Sequence, residues 1–232
     1  MGTKELRDAG VVSGSEVIVP AFGGAEVAEA VRGLGACPVF ADIEPGSFCL
    51  DPADVKNVLT ARTVAVAAVH LFGHPADVSG LREVLDGLPV RVVEIGAPPV
   101  GSSTPLPLDV LHRRRHAAYL DARLSGVVVP PVAPGVEHRY TQYVVRVPGN
   151  GRPDRDAFRQ ALRARGVPCR VPVKVPVHRM PGFRSGVRLP EAERAADECL
   201  ALPVDAHLTK RELHRVASAC NALGGLLLEP AC

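Results

Sequence analysis

Tryptophan is absent from the 232 residues, and Phe, Trp and Tyr together make up 4%. That leaves few of the aromatic platforms on which single-stranded nucleic acid is stacked. An excess of charge of one sign is missing too. With 27 Lys plus Arg against 25 Asp plus Glu, the formal charge is +2, too small to mark a nucleic-acid partner. Lysine is scarce: only Lys4, Lys56, Lys174 and Lys210 occur, and every other residue of the 27 is arginine. The six cysteines form no CxxC pair and have no histidine cluster at zinc-site spacing. Reduced, mostly buried thiols are therefore expected rather than a metal site or a disulfide framework. No apolar run approaches the roughly 20 residues of a membrane-spanning helix. The N-terminal MGTKELRDAG lacks the apolar stretch of a signal peptide, and a cytoplasmic location is expected.

What the chain does have is alternation of short apolar runs with helical patterns, the signature of βαβ units and a parallel sheet. Glu16–Pro20, Cys37–Ala41, Thr63–Val69 and Val90–Val93 read as strands, apolar enough to be buried on both faces. Helices are expected over Glu26–Leu34, after Asp51-Pro52 and over Ala76–Leu85. The proline- and glycine-rich GAPPVGSSTPLP, residues 96–107, ends this pattern. A long amphipathic helix is expected from Leu108, and its Arg113-Arg114-Arg115 run reads as a solvated face. Further on, Val127–Val129 and Tyr140–Val147 read as strands. A helix capped by Asp154 should run to Arg165, Val167 to His178 reads as a proline-dotted strand or loop, and helices over Glu191–Leu200 and Thr209–Leu223 complete a smaller α+β unit. The expected division is 1–105 for an α/β domain and 106–232 for the helix with the small α+β domain.

The order of phrases is itself informative. Gly14-Ser15-Glu16-Val17-Ile18-Val19-Pro20-Ala21-Phe22, Gly35-Ala36-Cys37-Pro38-Val39-Phe40-Ala41-Asp42-Ile43 and Val69-His70-Leu71-Phe72-Gly73-His74-Pro75-Ala76-Asp77 resemble successive motifs of the DegT/StrS family of pyridoxal-phosphate-dependent sugar aminotransferases. Arg113–Tyr119 looks like that family's interdomain helix. Val175-Pro176-Val177-His178, Leu189–Arg194, Leu200–Pro203 and His207-Leu208-Thr209 resemble its small-domain signatures. The resemblance covers nearly the whole chain. It implies the fold of the aspartate aminotransferases, a nucleotide-linked keto sugar or cyclitol as substrate, and sites built at dimer interfaces.

The same resemblance identifies what is missing. Transamination needs a lysine for the Schiff base, an acid that holds the pyridine nitrogen protonated, a flat group stacked on the ring and a cradle for the phosphate. The lysine-bearing segment, expected downstream of the fourth strand, is replaced by residues 96–107, which contain no lysine. The family's Glu-Asp-Ala-Ala-Gln stands as Glu94-Ile95-Gly96-Ala97-Pro98, and its Thr-aromatic pair as Gly23-Gly24. Glu94 cannot replace the acid, because neighbouring strand residues point to opposite faces. Gly2 and Thr3 are the candidate remnant of the phosphate loop. His70, His74 and His178 remain as candidates for chemistry, with structural roles expected. No catalytic residue and no metal ligand is assigned. The reading is a truncated homologue of amino-sugar or natural-product biosynthesis, inactive as a transaminase and associating with itself or with a full-length homologue. The alternative is a pyridoxal-phosphate-dependent transaminase whose site is completed by another subunit.

Overall fold

The computed structural model describes residues 2–96, 106–148 and 155–227. The chain divides into two compact units. Met1–Leu71, Pro75–Pro98 and Val175–Ala196 form the first, and Phe72–His74, Pro99–Lys174 and Asp197–Cys232 the second.

In the first unit, β1 (Glu16–Pro20), β2 (Cys37–Ala41), β3 (Thr63–Val69) and β4 (Arg91–Ile95) pair in parallel in the order β2-β1-β3-β4. The composition of each strand follows its place. The inner strands β1 and β3 are almost entirely buried, whereas β2 exposes Cys37 and β4 exposes Arg91 and Glu94 at the edges. On one face Ile18, Val66 and Ala68 pack with Val55 of α3 (Pro52–Val58) and Leu81 of α4 (Val78–Val84). Val17, Val19, Ala65 and Ala67 point the other way and are equally buried. The helices α1 (Thr3–Asp8) and α2 (Ala25–Gly33) bury Leu6, Val27 and Val31 in the same unit. Asp51 caps α3 by accepting from the Ala53 N–H at 2.8 Å, with Pro52 in the first turn. The helix expected over Ala76–Leu85 starts later, because Asp77 accepts from the Gly80 N–H at 2.9 Å and sets the cap there.

The segment Val175–Ala196 belongs to this unit, not to the C-terminal one in which it was expected. The Val177 N–H donates to Ala21 O at 2.7 Å. The Asp42 carboxylate accepts from the N–H groups of Glu191 and Ala192 at 2.9 and 2.7 Å, so the end of β2 caps α7 (Pro190–Glu198). The expected boundary at residue 105 lies outside the described residues.

In the second unit, α5 (Leu108–Asp121), α6 (Arg155–Ala164) and α8 (Lys210–Leu227) accompany an antiparallel pair, β5 (Tyr143–Arg146) with β6 (Cys199–Leu202). Tyr143, Phe158, Leu162, Leu200, Leu213 and Cys220 form its core. Three expectations are corrected here. Cys199 and Leu200 are strand, not the end of a helix, because their backbone pairs with Arg146 and Val145 of β5. Val127–Val129 contributes only the bridge Val128↔Arg146. The strand expected over Tyr140–Val147 begins only at Tyr143, because Tyr140 is left-handed at φ 44° and its N–H is spent on His138 Nδ1 at 2.8 Å. The cap expected at Asp154 lies outside the described residues. Among those residues, no helix is long and apolar enough to cross a membrane.

Candidate functional site

Ligands of open α/β sheets sit beyond the carboxyl ends of the strands, where the strand order reverses. In the order β2-β1-β3-β4 the chain moves to opposite sides of β1, so the reversal lies between the carboxyl ends of β1 and β3. Ala21–Gly24 follow β1, His70 and Leu71 follow β3, and Ile95 and Gly96 close β4. Gly2, the residue before α1, has a left-handed φ of 91°, and a Cβ placed on it would lie 3.0 Å from Ile95 Cδ1. Gly2 is therefore brought beside the end of β4, and Thr3 follows in the first turn of a helix of 6 residues.

At the end of β4 and at the glycine pair after β1, side chains are apolar or excluded. Ile95 is 7% exposed. A Cβ on Gly24 would stand 2.3 Å from Pro20 O and 2.9 Å from Val19 Cγ1, so no larger residue fits there without moving the backbone. At Gly23 (φ 77°) the corresponding space is filled by Leu71, whose Cδ1 would lie 2.5 Å from the added atom. Glu94 points the other way, as strand alternation requires, and its Oε1 lies 3.5 Å from Arg82 Nη2.

The three histidines are held in separate structural ties. His70 Nδ1 accepts from the Ala76 N–H at 3.0 Å, and Nε2 faces Glu94 Oε2 at 3.4 Å. Burial lowers the His70 pKa and outweighs the opposing pull of Glu94, so the ring is a neutral turn-former rather than a charged acid. His178 is fully buried, with Nε2 3.2 Å from Glu193 Oε1. The Glu193 carboxylate also meets Arg179 at 2.6 Å. His74 packs edge-on against His138 at 5.3 Å, and His138 stacks on Tyr140 at 3.9 Å.

The arginine run does not behave as one solvated face. Arg114 Nε donates to His138 O at 2.9 Å, and Arg113 Nε is buried without a hydrogen-bond partner among the described residues. Of the three, only Arg115 is exposed. The helical period turns three consecutive residues to different sides, and a run of like charges hides that division. The lysines are uniform: Lys4, Lys56, Lys174 and Lys210 are all exposed.

A family profile for the DegT/DnrJ/EryC1/StrS aminotransferases matches residues 4–104 and 106–221. The chain belongs to this family. A pleiotropic regulatory protein of Geobacillus stearothermophilus is 26% identical over 295 aligned positions, which cover 89% of this chain and 78% of that protein. An L-glutamine:2-deoxy-scyllo-inosose aminotransferase of Streptomyces paromomycinus is 43% identical over 87 residues, 37% of this chain and only 20% of the enzyme. Among solved structures, S. venezuelae DesV in complex with a ketimine intermediate superposes with a TM-score of 0.84 at 26% identity, covering 96% of this chain and 81% of DesV.

The family uses pyridoxal phosphate, and the residues at this sheet end do not fit it. The position that resembles the ring acid is the buried hydrocarbon Ile95. The positions that resemble the stacking pair are Gly23 and Gly24, where neighbouring atoms occupy the space of a side chain. Residues 97–105, which follow, contain neither lysine nor acid. Only the left-handed turn at Gly2 and the Thr3 hydroxyl remain from the set that the resemblance implies.

Proposed function

We propose that this protein is a non-catalytic sugar-aminotransferase homologue acting in amino-sugar or natural-product biosynthesis. One observation carries the reading: where a protonated pyridine nitrogen would need a carboxylate, β4 ends in buried Ile95. An aliphatic side chain offers neither charge nor hydrogen bond, so it cannot keep the ring an electron sink. The exposed lysines add support, because a Schiff-base lysine is activated by desolvation or by a neighbouring cation inside a pocket. The alignment lengths point the same way. A comparison spanning 295 positions passes over more positions than the 232 residues of this chain, and the family match is broken at residue 105. Loss of an internal segment at that junction would remove the lysine-bearing part that the resemblance expects there.

The assay follows from the relatives' chemistry. Purified chain, pyridoxal phosphate, L-glutamine and 2-deoxy-scyllo-inosose are expected to give no aminocyclitol above the enzyme-free background, and turnover would overturn the proposal. Repeating the assay with an equimolar full-length 2-deoxy-scyllo-inosose aminotransferase tests a site completed by a second chain. Turnover well above that of the added enzyme alone would favour shared construction, and unchanged turnover would remove it.

A further inference from the structure

The second unit contains a cavity of about 410 Å³ whose wall includes Arg113, Gln142, Cys169, Arg170 and Asp205. Its volume lies in the range of small-molecule sites. Two of the residues that line it, Arg113 and Gln142, each hold a buried polar atom, Nε and Oε1, without a hydrogen-bond partner among the described residues. Buried polar groups are ordinarily satisfied, so two wall residues with hydrogen-bonding capacity unmet point to a guest that re-orients their side chains. The positions are braced. The Arg170 backbone exchanges hydrogen bonds with Ala201 at 3.2 and 2.8 Å. Asp205 O accepts from His116 Nδ1 at 2.8 Å, one turn along α5 from Arg113.

We infer that this pocket binds a small hydroxylated oxyanion, a phosphate or a carboxylate. Arg113 and Arg170 hold the charge, and the Gln142 amide, once turned towards the guest, and the Asp205 carboxylate accept from neighbouring hydroxyls. A guanidinium is suited to both anions, because its planar donors match two oxygens at once. The two acceptors select a guest that also donates, so a polyol phosphate should bind better than inorganic phosphate. Binding here is noncovalent. The one thiol in the wall, Cys169, is directed to Arg159 O at 3.6 Å and has its pKa raised by burial. The inference does not depend on the state of the sheet-end site.

Calorimetric titration of the full chain at constant ionic strength with glucose 1-phosphate, inorganic phosphate and malonate tests it. Glucose 1-phosphate should bind more tightly than inorganic phosphate, and its affinity relative to malonate assigns the anion as phosphate or carboxylate. Loss of one charge-assisted contact should weaken binding about tenfold or more in R113Q and in R170Q. R115Q, which removes the same charge from an exposed position of the same helix, should stay within about twofold, as expected for a screened surface charge. Arg170 is exposed, so R170Q tests the site even if R113Q fails to fold. Saturating glucose 1-phosphate should also slow iodoacetamide labelling of Cys169 and leave the exposed Cys37 unaffected. Absence of millimolar binding by all three probes, or equal weakening in R115Q and R170Q, would overturn the inference.

Discussion

At the scale of single residues, the sheet end is defined by what cannot be placed there. Gly24 is confined by Pro20 O and Val19, and overpacking of this kind costs about 1–3 kcal/mol. G24A should lower stability by that amount in urea denaturation. G33A, at an open position in α2 with nothing within 4 Å, should raise it by about 0.5–1 kcal/mol. A second residue, His138, sets a pH dependence. Burial, then the nearby His74 and Arg114, push its pKa down from 6.5 to about 3. The folded ring therefore stays neutral while the unfolded chain takes up a proton below its ordinary pKa. Stability is intact above pH 6.5 and falls as pH drops towards 3, at close to 1.4 kcal/mol per pH unit for this one group. Between pH 6 and 5, wild type should lose stability more steeply than H138Q by about that slope; parallel profiles would refute the assignment. The sequence pattern disclosed Ile95, Gly23 and Gly24 because they stand in aligned phrases. It did not disclose His138, whose burial and stacking depend on the left-handed Tyr140.

At the scale of elements, strands and helices with local signals were legible. The Val- and Ala-rich β1 and β3 declare their burial, and Asp51-Pro52 declares the start of α3. What was not legible depends on distant partners. Cys199 and Leu200 read as the end of a helix in isolation and are strand only because β5 pairs with β6. The return of Val175–Ala196 to the sheet unit is fixed by Asp42, whose carboxylate holds the N–H groups of Ile43, Glu191 and Ala192. Those donors would be left unsatisfied in D42A. The expected loss is about 2–4 kcal/mol by chemical denaturation, with a smaller loss in D42N, which keeps one acceptor. An unchanged midpoint in D42A would show that α7 does not depend on this cap.

At the scale of the whole molecule, the family architecture is present, and among the described residues Ile95, Gly23 and Gly24 stand at the positions that resemble the ring acid and the stacking pair. The chain covers 96% of its own length against DesV but 81% of DesV, and the family match is interrupted at residue 105. Scarcity of lysine takes its meaning from this context. Four lysines in 232 residues is in itself a matter of composition, but four exposed lysines leave none enclosed where the ring would stand. The cavity in the second unit was hidden in the sequence for a related reason: its wall is assembled from four separate stretches between Arg113 and Asp205. The most direct measurement is borohydride reduction of the purified chain with one equivalent of pyridoxal phosphate, followed by mass mapping of lysines. The account predicts no absorbance band of a lysine-bound cofactor and no single lysine peptide carrying the reduced adduct. A stoichiometric adduct on one lysine, with a band that reduction abolishes, would contradict it.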